Sequence, residues 1–462
     1  MRQQRSLAGQ WQFRLDPEGT LNAEQLQPDR EIRVPLPWQA ALPELERYSG
    51  FAWYQRSIDL DSAWLAGEVL LHFGAVDYSC QVYVNGQLAG AHEGGYTPFT
   101  LPIRQYVHEG SNTLAVRVYD SAQTGIVIPR WRDQMAAPSQ QVTPEDMPHG
   151  KQTWYLDVSG IWQDVTLTAV AAVYIKGAQV TPNIHSEEAT IAVELAGSFE
   201  AGTLRVGVDA RSASIVALKP GQTSYELTIH LSDALLWTPE TPNLYTATVT
   251  LNAETLADEV QARFGFREIR TEKGRLLLNG EPIILLSALD QDFYPETIYT
   301  APSEAYLRDE FAKAKALGLN SLRCHIKPPE PLYLDLADEM GLLIWAEIPS
   351  WRTFQPKTTV HGPVLDDALQ ARLRLTLGEM IERDFNHPSL IIWTIVNEDW
   401  GTTLPLRAAD RQWLREMVDL CKQLDPTRLV VDNSPCGASW GTSAHVKTDL
   451  NDYHIYTNIP EA

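Results

Sequence analysis

The sequence predicts a multidomain protein, β-rich up to about residue 267 and α/β after it. Its 462 residues are too many for one hydrophobic core, since domains typically hold about 100–200 residues. Short strand-like runs between turn signals fill the first part, whereas alternating strands and helices, typical of a parallel sheet, fill the second. We therefore expect a jelly-roll β-sandwich at residues 1–170, an immunoglobulin-like β-sandwich at 171–267 and an incomplete (β/α)8 TIM barrel at 268–462.

Residues 1–170 contain short strands and no long helical period. Leu114, Val116 and Val118 alternate along the chain and should share one face of a strand. Asn85-Gly86 stands between two strand-like runs, and this pair accepts the positive φ angles of a type I′ hairpin turn. The pattern favours a β-sandwich or jelly roll.

Residues 171–267 continue the β pattern. Strand-like runs occur at 190–195 and 245–251, and a region of this length with about seven short strands suits an immunoglobulin-like sandwich. The stretch 236–245 contains two prolines, so we expect a loop that crosses the edge of a sheet.

Residues from about 268 onward alternate between strand-like and helical patterns. The apolar run 283–289 is typical of a strand buried on both faces. Ser303 should cap a helix that extends to Gly318 and turns one face inward, formed by Leu307, Phe311, Ala314 and Leu317. Further strands are predicted at 321–325, 342–347, 391–396, 429–432 and 452–456, with helices at 332–340, 366–385 and 406–424. Since a complete barrel takes about 250 residues, the residues after 283 suffice for about six of its eight units.

Composition and charge exclude several classes of function. The net charge of −22 argues against binding to nucleic acids, which requires basic patches. We see no signal peptide and no stretch of about 18 apolar residues, so we expect no membrane partner. The four cysteines lie scattered without metal-type spacing, which predicts reduced thiols, a cytoplasmic location and no metal site.

Polar residues concentrate at the ends of the predicted barrel strands, where the active site of such a barrel lies. Carboxylates, amides and imidazoles around one cavity suit glycoside hydrolysis. In that reaction one carboxylic acid protonates the leaving oxygen, and a second carboxylate attacks the anomeric carbon or activates water. Our catalytic candidate is Glu398, at the end of the fourth strand. The candidate substrate-binding residues are Asn397, Asp290, Asp292, Arg323, His325, Glu347, Trp351, Trp400, His454 and Tyr456.

Several of these residues have a second interpretation. Glu347 is a rival catalytic carboxylate, but orienting pocket groups or pairing with Arg323 suits it better. Trp351 and Trp400 fit a stacking platform for sugars and, equally well, packing under loops. His325 fits a pocket residue and a structural histidine equally well.

The run NHPSLIIWTIVNE at 386–398 resembles the acid/base motif of family 2 glycoside hydrolases, which include β-galactosidases, β-glucuronidases and β-mannosidases. Three further stretches agree with this family: VSGIWQDV at 158–165, LWTPETPNLY at 236–245 and FGFREI at 264–269. The resemblance covers essentially the whole chain. It implies a sugar-binding first domain and hydrolysis of terminal β-glycosidic bonds with retention, with Glu398 as general acid/base. It also implies that His454 and Tyr456 point into the cavity.

The resemblance also bears on cofactors and partners. It implies a carbohydrate substrate and no cofactor in general, although some galactosidases of the family bind magnesium or sodium. It suggests a homo-oligomer, either a dimer or a tetramer. The sugar that is cleaved stays open.

The sequence departs from the family pattern at three places. Leu286-Ser287 stands where the family often has Arg-Gly, which removes a positive charge from the site. After His325, the expected proline is displaced by one position, to Pro328. The family's nucleophile is a glutamate at the end of the seventh strand, and no residue here matches it. The alternative to an enzyme is therefore a non-catalytic carbohydrate-binding fragment or pseudoenzyme.

Overall fold

The computed structural model describes residues 2–121, 147–152, 155–209, 212–253, 256–351, 365–434 and 445–454. The first part of the chain is a sandwich of two antiparallel sheets. Its described strands are β1 (Gln3–Ser6), β2 (Gly9–Asp16), β3 (Arg30–Val34), β4 (Gly50–Leu60), β5 (Glu68–Phe73), β6 (Val76–Asp77), β7 (Ser79–Val84), β8 (Gln87–Glu93), β9 (Phe99–Pro102), β10 (Gly110–Asp120), β11 (Gly160–Ile161) and β12 (Val165–Val170). This part also contains the short α-helix α1 (Trp38–Ala41) and two single-turn 3-10 helices, Pro43–Leu45 and Arg104–Tyr106.

The sandwich packs the sheet β1-β12-β5-β9 against the sheet β3-β2-β4-β10-β7-β8 over one hydrophobic core. Leu114, Val116 and Val118 on β10 are fully buried in that core, as predicted. Asn85 and Gly86 have φ angles of 49° and 81° and connect β7 to β8, which confirms the hairpin turn.

The second part is a smaller sandwich of seven described strands. These are β13 (Tyr174–Asn183), β14 (Glu188–Ala196), β15 (Thr203–Val208), β16 (Ser212–Ala217), β17 (Ser224–His230), β18 (Tyr245–Ala253) and β19 (Leu256–Phe264). Sheets of three and four strands enclose a separate core, in agreement with the immunoglobulin-like prediction. In the proline-rich loop after β17, the indole of Trp237 is fully buried and donates to Asp338 O at 2.9 Å, so this loop joins the sandwich to the barrel.

The third part begins with a small antiparallel sheet and continues with a parallel one. The elements are β20 (Ile269–Glu272), β21 (Arg275–Leu278), β22 (Glu281–Pro282), β23 (Ser287–Asp290), α2 (Glu304–Ala316), β24 (Ser321–Cys324), α3 (Pro331–Met340), β25 (Leu343–Glu347), α4 (Asp367–Asp384), β26 (Leu390–Asn397), α5 (Ala408–Leu424) and β27 (Leu429–Ser434). The strands β23 to β27 pair in chain order and all in parallel. None of the described helices has the length and apolar character needed to cross a membrane.

The helix caps follow the sequence closely. Ser303 Oγ accepts a hydrogen bond from Tyr306 N at 3.1 Å and starts α2, and Gly341, with φ 69°, ends α3. Leu307 and Phe311 are fully buried as predicted. The prediction for Leu317 is wrong: this residue follows the last helical residue and is 81% exposed.

The first barrel strand is shorter than predicted. Only Ser287–Asp290 forms β23, and Ile284, Leu286 and Leu289 are more than half exposed, so burial of the run on both faces is wrong for this structure. Within the described residues β23 pairs with β24 alone, which leaves these side chains without a covering neighbour. Of the predicted sixth strand, residues 452–454 are described and form no strand. Residues 455 and 456 lie outside the described ranges, so that strand stays a prediction.

The first sandwich and the barrel share a buried interface. Tyr96 and Tyr299 join their hydroxyl groups at 3.0 Å, and Thr300 Oγ1 donates to Trp162 O at 2.6 Å. The ammonium of Lys327 lies over the ring of Tyr299 at 4.2 Å. This interface fixes the position of the first domain against the strand ends of the barrel.

Candidate active site

The five parallel strands end at one edge of the sheet, and the candidate residues gather there. Glu398 follows β26, whose eight residues are all buried. Its backbone turns out of the strand with φ 53°, a left-handed conformation that is uncommon for glutamate, and its N–H donates to Ser434 O at 2.8 Å. The hydrogen bond to the end of β27 holds this turn, so the side chain of Glu398 has a defined direction.

His454 contacts the Glu398 carboxylate directly. The distance from His454 Nδ1 to Glu398 Oε1 is 2.6 Å. His454 Nε2 lies 3.1 Å from Arg323 Nη1 and 2.8 Å from Ser434 Oγ. Since a guanidinium can only donate, Nε2 must accept, which assigns the imidazole proton to Nδ1 and makes His454 a neutral donor to Glu398.

Arg323 connects the residues of three neighbouring strand ends. Its Nε donates to Glu347 Oε1, and its Nη2 donates to Asn397 Oδ1 at 3.0 Å. Glu347 is fully buried, and its second oxygen accepts from Ile326 N at 3.0 Å. Both Glu347 oxygens are therefore engaged, and the carboxylate neutralises Arg323 inside the site.

Asn397 and His325 present polar groups beside Glu398. The Asn397 side-chain nitrogen is buried and has no hydrogen-bond partner among the described residues, so it can donate to a ligand. His325 Nδ1 contacts the Gln291 side-chain amide at 3.1 Å. Burial lowers the pKa of His325 to about 4, which keeps its ring neutral.

Asp290 and Asp292, predicted to bind substrate, are held by protein groups instead. Asp290 accepts from the Tyr333 hydroxyl at 2.8 Å and from Asp292 N at 2.7 Å. Asp292 is 4% exposed and forms an ion pair of 2.6 Å with Lys327. Burial raises the pKa of Asp292, and Lys327 opposes that rise. These contacts make the two aspartates supports of the loop after β23, and their role in substrate binding stays a prediction.

The two tryptophans offer no open face for a sugar. Trp351 is 1% exposed and packs edge-on against Trp413, with ring centroids 5.6 Å apart. Trp400 is 4% exposed, and its ring lies 4.6 Å from the ammonium of Lys151. The structure thus supports the packing interpretation of both residues. Tyr456 lies outside the described residues.

The sequence analysis missed three residues of this site. Ser434 and Asp452 are hydrogen-bonded to each other behind His454, and burial raises the pKa of Asp452. Lys151 comes from the first domain, and burial lowers the pKa of its amine, while the charges of Glu398 and Glu347 oppose that shift. Ser434 continues a predicted strand by two residues and could have been included, whereas no local signal marks Lys151.

Within the described ranges, one group has the spacing of metal ligands: Asp335, Asp338 and His387. It lies away from Glu398, and Arg263 is ion-paired with both aspartates, at 2.5 and 3.8 Å. The guanidinium of Arg263 thus already balances the charge of these carboxylates, so the three residues are better explained as a structural cluster than as a metal centre.

Known proteins resemble the chain along its whole length. Residues 4–171 match the profile "Glycosyl hydrolases family 2, sugar binding domain", residues 173–267 match "Glycosyl hydrolases family 2", and residues 269–460 match "Glycosyl hydrolases family 2, TIM barrel domain". A putative beta-glucuronidase from Formosa agariphila is 28% identical over 415 residues, which are 86% of this chain and 46% of the relative. A beta-galactosidase from Thermoanaerobacter pseudethanolicus is 28% identical over 397 residues, 83% of this chain and 48% of the relative. The chain spans about half the length of these two relatives.

Solved structures show the same fold. The beta-glucuronidase of Ruminococcus gnavus superposes with a TM-score of 0.76 at 22% identity, covering 94% of this chain and 73% of that one. A GH2 beta-galacturonidase from Eisenbergiella tayi superposes with a TM-score of 0.75 at 24% identity, covering 94% and 71%.

Proposed function

Since this chain belongs to glycoside hydrolase family 2, we propose that it is a β-glycosidase in which Glu398 is the general acid/base. The observation that carries the proposal is the contact between His454 Nδ1 and Glu398 Oε1 at the carboxyl edge of the parallel sheet. It positions the carboxylate at the place where barrel enzymes bind substrate.

The geometry gives each oxygen of Glu398 a different task. Oε1 accepts the proton of His454, so the acidic proton belongs on Oε2, from which it can pass to the leaving oxygen. After the aglycone departs, the same oxygen can accept a proton from water. The Asn397 side-chain nitrogen, held in place through its oxygen by Arg323, donates to a sugar hydroxyl on the same side.

Retention requires a second carboxylate about 5–5.5 Å from the first. Glu347 is poorly suited to this role because Arg323 and Ile326 N occupy its oxygens. We propose that the nucleophile is the seventh-strand glutamate of the family, which no residue of this chain matches. We also keep the proposed domain limits, 1–170, 171–267 and 268–462, with about six of eight barrel units in the last domain.

The relatives' names guide the choice of substrate. Because the curated relatives include proteins named beta-glucuronidase and beta-galactosidase, we propose β-linked hexosides or hexuronides as first substrates. The net charge of −22 favours uncharged hexosides over anionic hexuronides, but the net charge of a protein does not determine the charge of one pocket.

The test is hydrolysis of a panel of nitrophenyl β-glycosides by the protein and by its Glu398→Gln variant. We expect a loss of at least about 100-fold with 4-nitrophenyl glycosides, and a smaller loss with 2,4-dinitrophenyl glycosides, whose leaving group needs no proton. Glu200→Gln, at an exposed turn, is the matched control and should be fully active. Because the proposed nucleophile matches no residue of this chain, hydrolysis by the parent that is lost in Glu398→Gln would assign the role of nucleophile to another carboxylate, with Glu347 the first to test. A folded parent without activity on the panel would favour the non-catalytic, carbohydrate-binding alternative.

A further inference from the structure

A short segment of the first domain is bound to the barrel next to the active site. His149 N and Gly150 N both donate to Ser350 O, at 3.0 and 2.8 Å, and Pro148 forms an antiparallel bridge with Trp351. The Tyr96 hydroxyl donates to His149 O at 2.8 Å and ties the segment back to its own domain. These contacts fix the backbone that carries Lys151.

Lys151 extends from this segment toward Glu398. Its ammonium lies 4.6 Å from the centroid of the Trp400 ring, an ordinary distance for a cation–π contact. Trp400 follows Glu398 by two residues, and Trp400 N donates to Asn397 O at 2.8 Å, which closes a tight turn around Glu398. The ring contact therefore places a cation from the first domain beside the acid/base turn of the barrel.

The electrostatic coupling agrees with this placement. Burial lowers the pKa of Lys151, and the carboxylates of Glu398 and Glu347 act in the opposite direction. Coupling between two ionisable groups is reciprocal, so the ammonium must favour the charged form of Glu398 to the same extent.

Among the described residues, several other charged and titratable groups near Glu398 have contacts of their own. Arg323 from β24 is paired with Glu347 from β25. His454 is assigned as neutral by its contact with Arg323, and burial keeps His325 neutral. Asp452 lies behind His454, 3.9 Å from its Nε2. Within the described ranges, Lys151 thus adds a positive charge from the first domain to the surroundings of Glu398.

We propose that Lys151 is a positioning residue for the acid/base: the first domain supplies an ammonium that sets the pH at which Glu398 exchanges its proton. This deepens the proposed function, on which it rests, and it makes the first domain part of the catalytic unit. A cation beside Glu398 favours its ionised form, which is the form that activates water in the second step. The same cation limits protonation of the leaving group at high pH.

The experiment is a titration of the Glu398 carboxyl by carbon-13 NMR in protein labelled at glutamate Cδ. The Glu398 resonance is the one that is lost in Glu398→Gln. In Lys151→Met we expect its midpoint to rise by about one pH unit, since a nearby cation has been removed. Lys151→Arg should keep the midpoint near that of the parent, and Lys219→Met, an exposed lysine far along the chain, should not change it.

A reciprocal arm keeps the test decisive even if Lys151→Met fails to fold. Lysine amines are labelled by reductive carbon-13 methylation, and the Lys151 signal is titrated in the parent and in Glu398→Gln. We expect the midpoint of Lys151 to fall in the variant by a comparable shift. Unchanged midpoints in either arm would overturn the proposal. Neither arm requires turnover, so failure of the proposed function in the hydrolysis panel remains a distinct result.

Discussion

His454 Nε2 lies 3.1 Å from Arg323 Nη1, and this contact decides which nitrogen of the imidazole carries the proton. A guanidinium has no acceptor, so the proton must be on Nδ1, where it is donated to Glu398 Oε1. A residue two strands away therefore controls the hydrogen bond that Glu398 receives.

We predict that His454→Ala raises the pKa of Glu398, because the carboxylate loses a donor that favours its charged form. The alkaline limb of the kcat/KM profile should move to higher pH, and kcat should fall about 10- to 100-fold through loss of orientation. His454→Asn keeps a donor near the position of Nδ1, so its kcat and its alkaline limb should lie between those of the parent and those of His454→Ala. His185→Ala is the control, since His185 is an exposed histidine that pairs with Glu268. Equal pH profiles for His454→Ala and the parent would contradict the tautomer assignment.

Replacement of Arg323 by Met should reduce stability strongly. It leaves the fully buried Glu347 carboxylate without its cation, and the free energy of unfolding should fall by about 3–5 kcal/mol in urea titrations. Adding Glu347→Gln should restore part of this loss, since the buried charge is removed. Arg308→Met breaks only exposed pairs, with Glu304 and Glu339, and is the control, since exposed ion pairs contribute little to stability. A loss for Arg323→Met no greater than that control would contradict the prediction.

The first domain contains a buried carboxyl pair with an unusual pH dependence. Burial raises the pKa of Asp120 to about 7, and burial together with the charge of Asp120 raises that of Asp77. The pKa values of both carboxyls are higher in the folded protein than the value near 4 of the unfolded chain, so the native state binds more protons than the unfolded state between these values. The stability that this pair contributes is therefore present below about pH 4 and is lost as the pH rises to about 7.

Asp120→Asn should remove much of this dependence, because an amide keeps an oxygen to accept from Ser159 Oγ without a charge. We expect the variant to be more stable than the parent at pH 8, by on the order of 1–3 kcal/mol, with little difference at pH 4.5. Urea titrations at both pH values measure this. Asp59→Asn, at an exposed position of β4, is the control. A variant less stable than the parent at pH 8 would show that the carboxylate is ionised without penalty.

Gly150→Ala should displace the segment that carries Lys151. Gly150 has φ 61°, and a Cβ there would lie 2.4 Å from Ile326 O, which is backbone and cannot rotate away. Gly221→Ala is a matched control, since Gly221 has φ 76° and open space around it, so it tests the backbone conformation without the clash. We expect Gly150→Ala to lose activity and about 1–3 kcal/mol more stability than the control. If Gly150→Ala and Gly221→Ala lost equal stability in melting assays and equal activity in hydrolysis assays, the contact of the Gly150 segment with the barrel would contribute to neither property.

Features that depend on neighbours in the chain were predictable. Ser303 and Gly341 delimit helices because capping needs only a side-chain oxygen or a positive φ at one position. Asn85-Gly86 forms its hairpin for the same local reason. The position of Glu398 was predictable because an apolar strand of a parallel sheet places whatever follows it at the carboxyl edge, and its catalytic role stays a prediction.

Burial and charge pairing were not predictable in the same way. Leu286 and Leu289 are exposed because exposure depends on which strand lies beside β23, and the apolar run does not contain that information. Asp292 faces Lys327 and not the cavity, because the direction of a side chain after a strand depends on the loop that holds it.

Lys151 illustrates the difference most clearly. The sequence established the family, the order of the domains and a glutamate at the end of the fourth strand, since these follow from periodicity and local motifs. The folded chain brings together residues 151 and 398, on separate domains, through the binding of one short segment to Ser350. Electrostatic influence depends on distance in space, and separation along the chain carries no record of it.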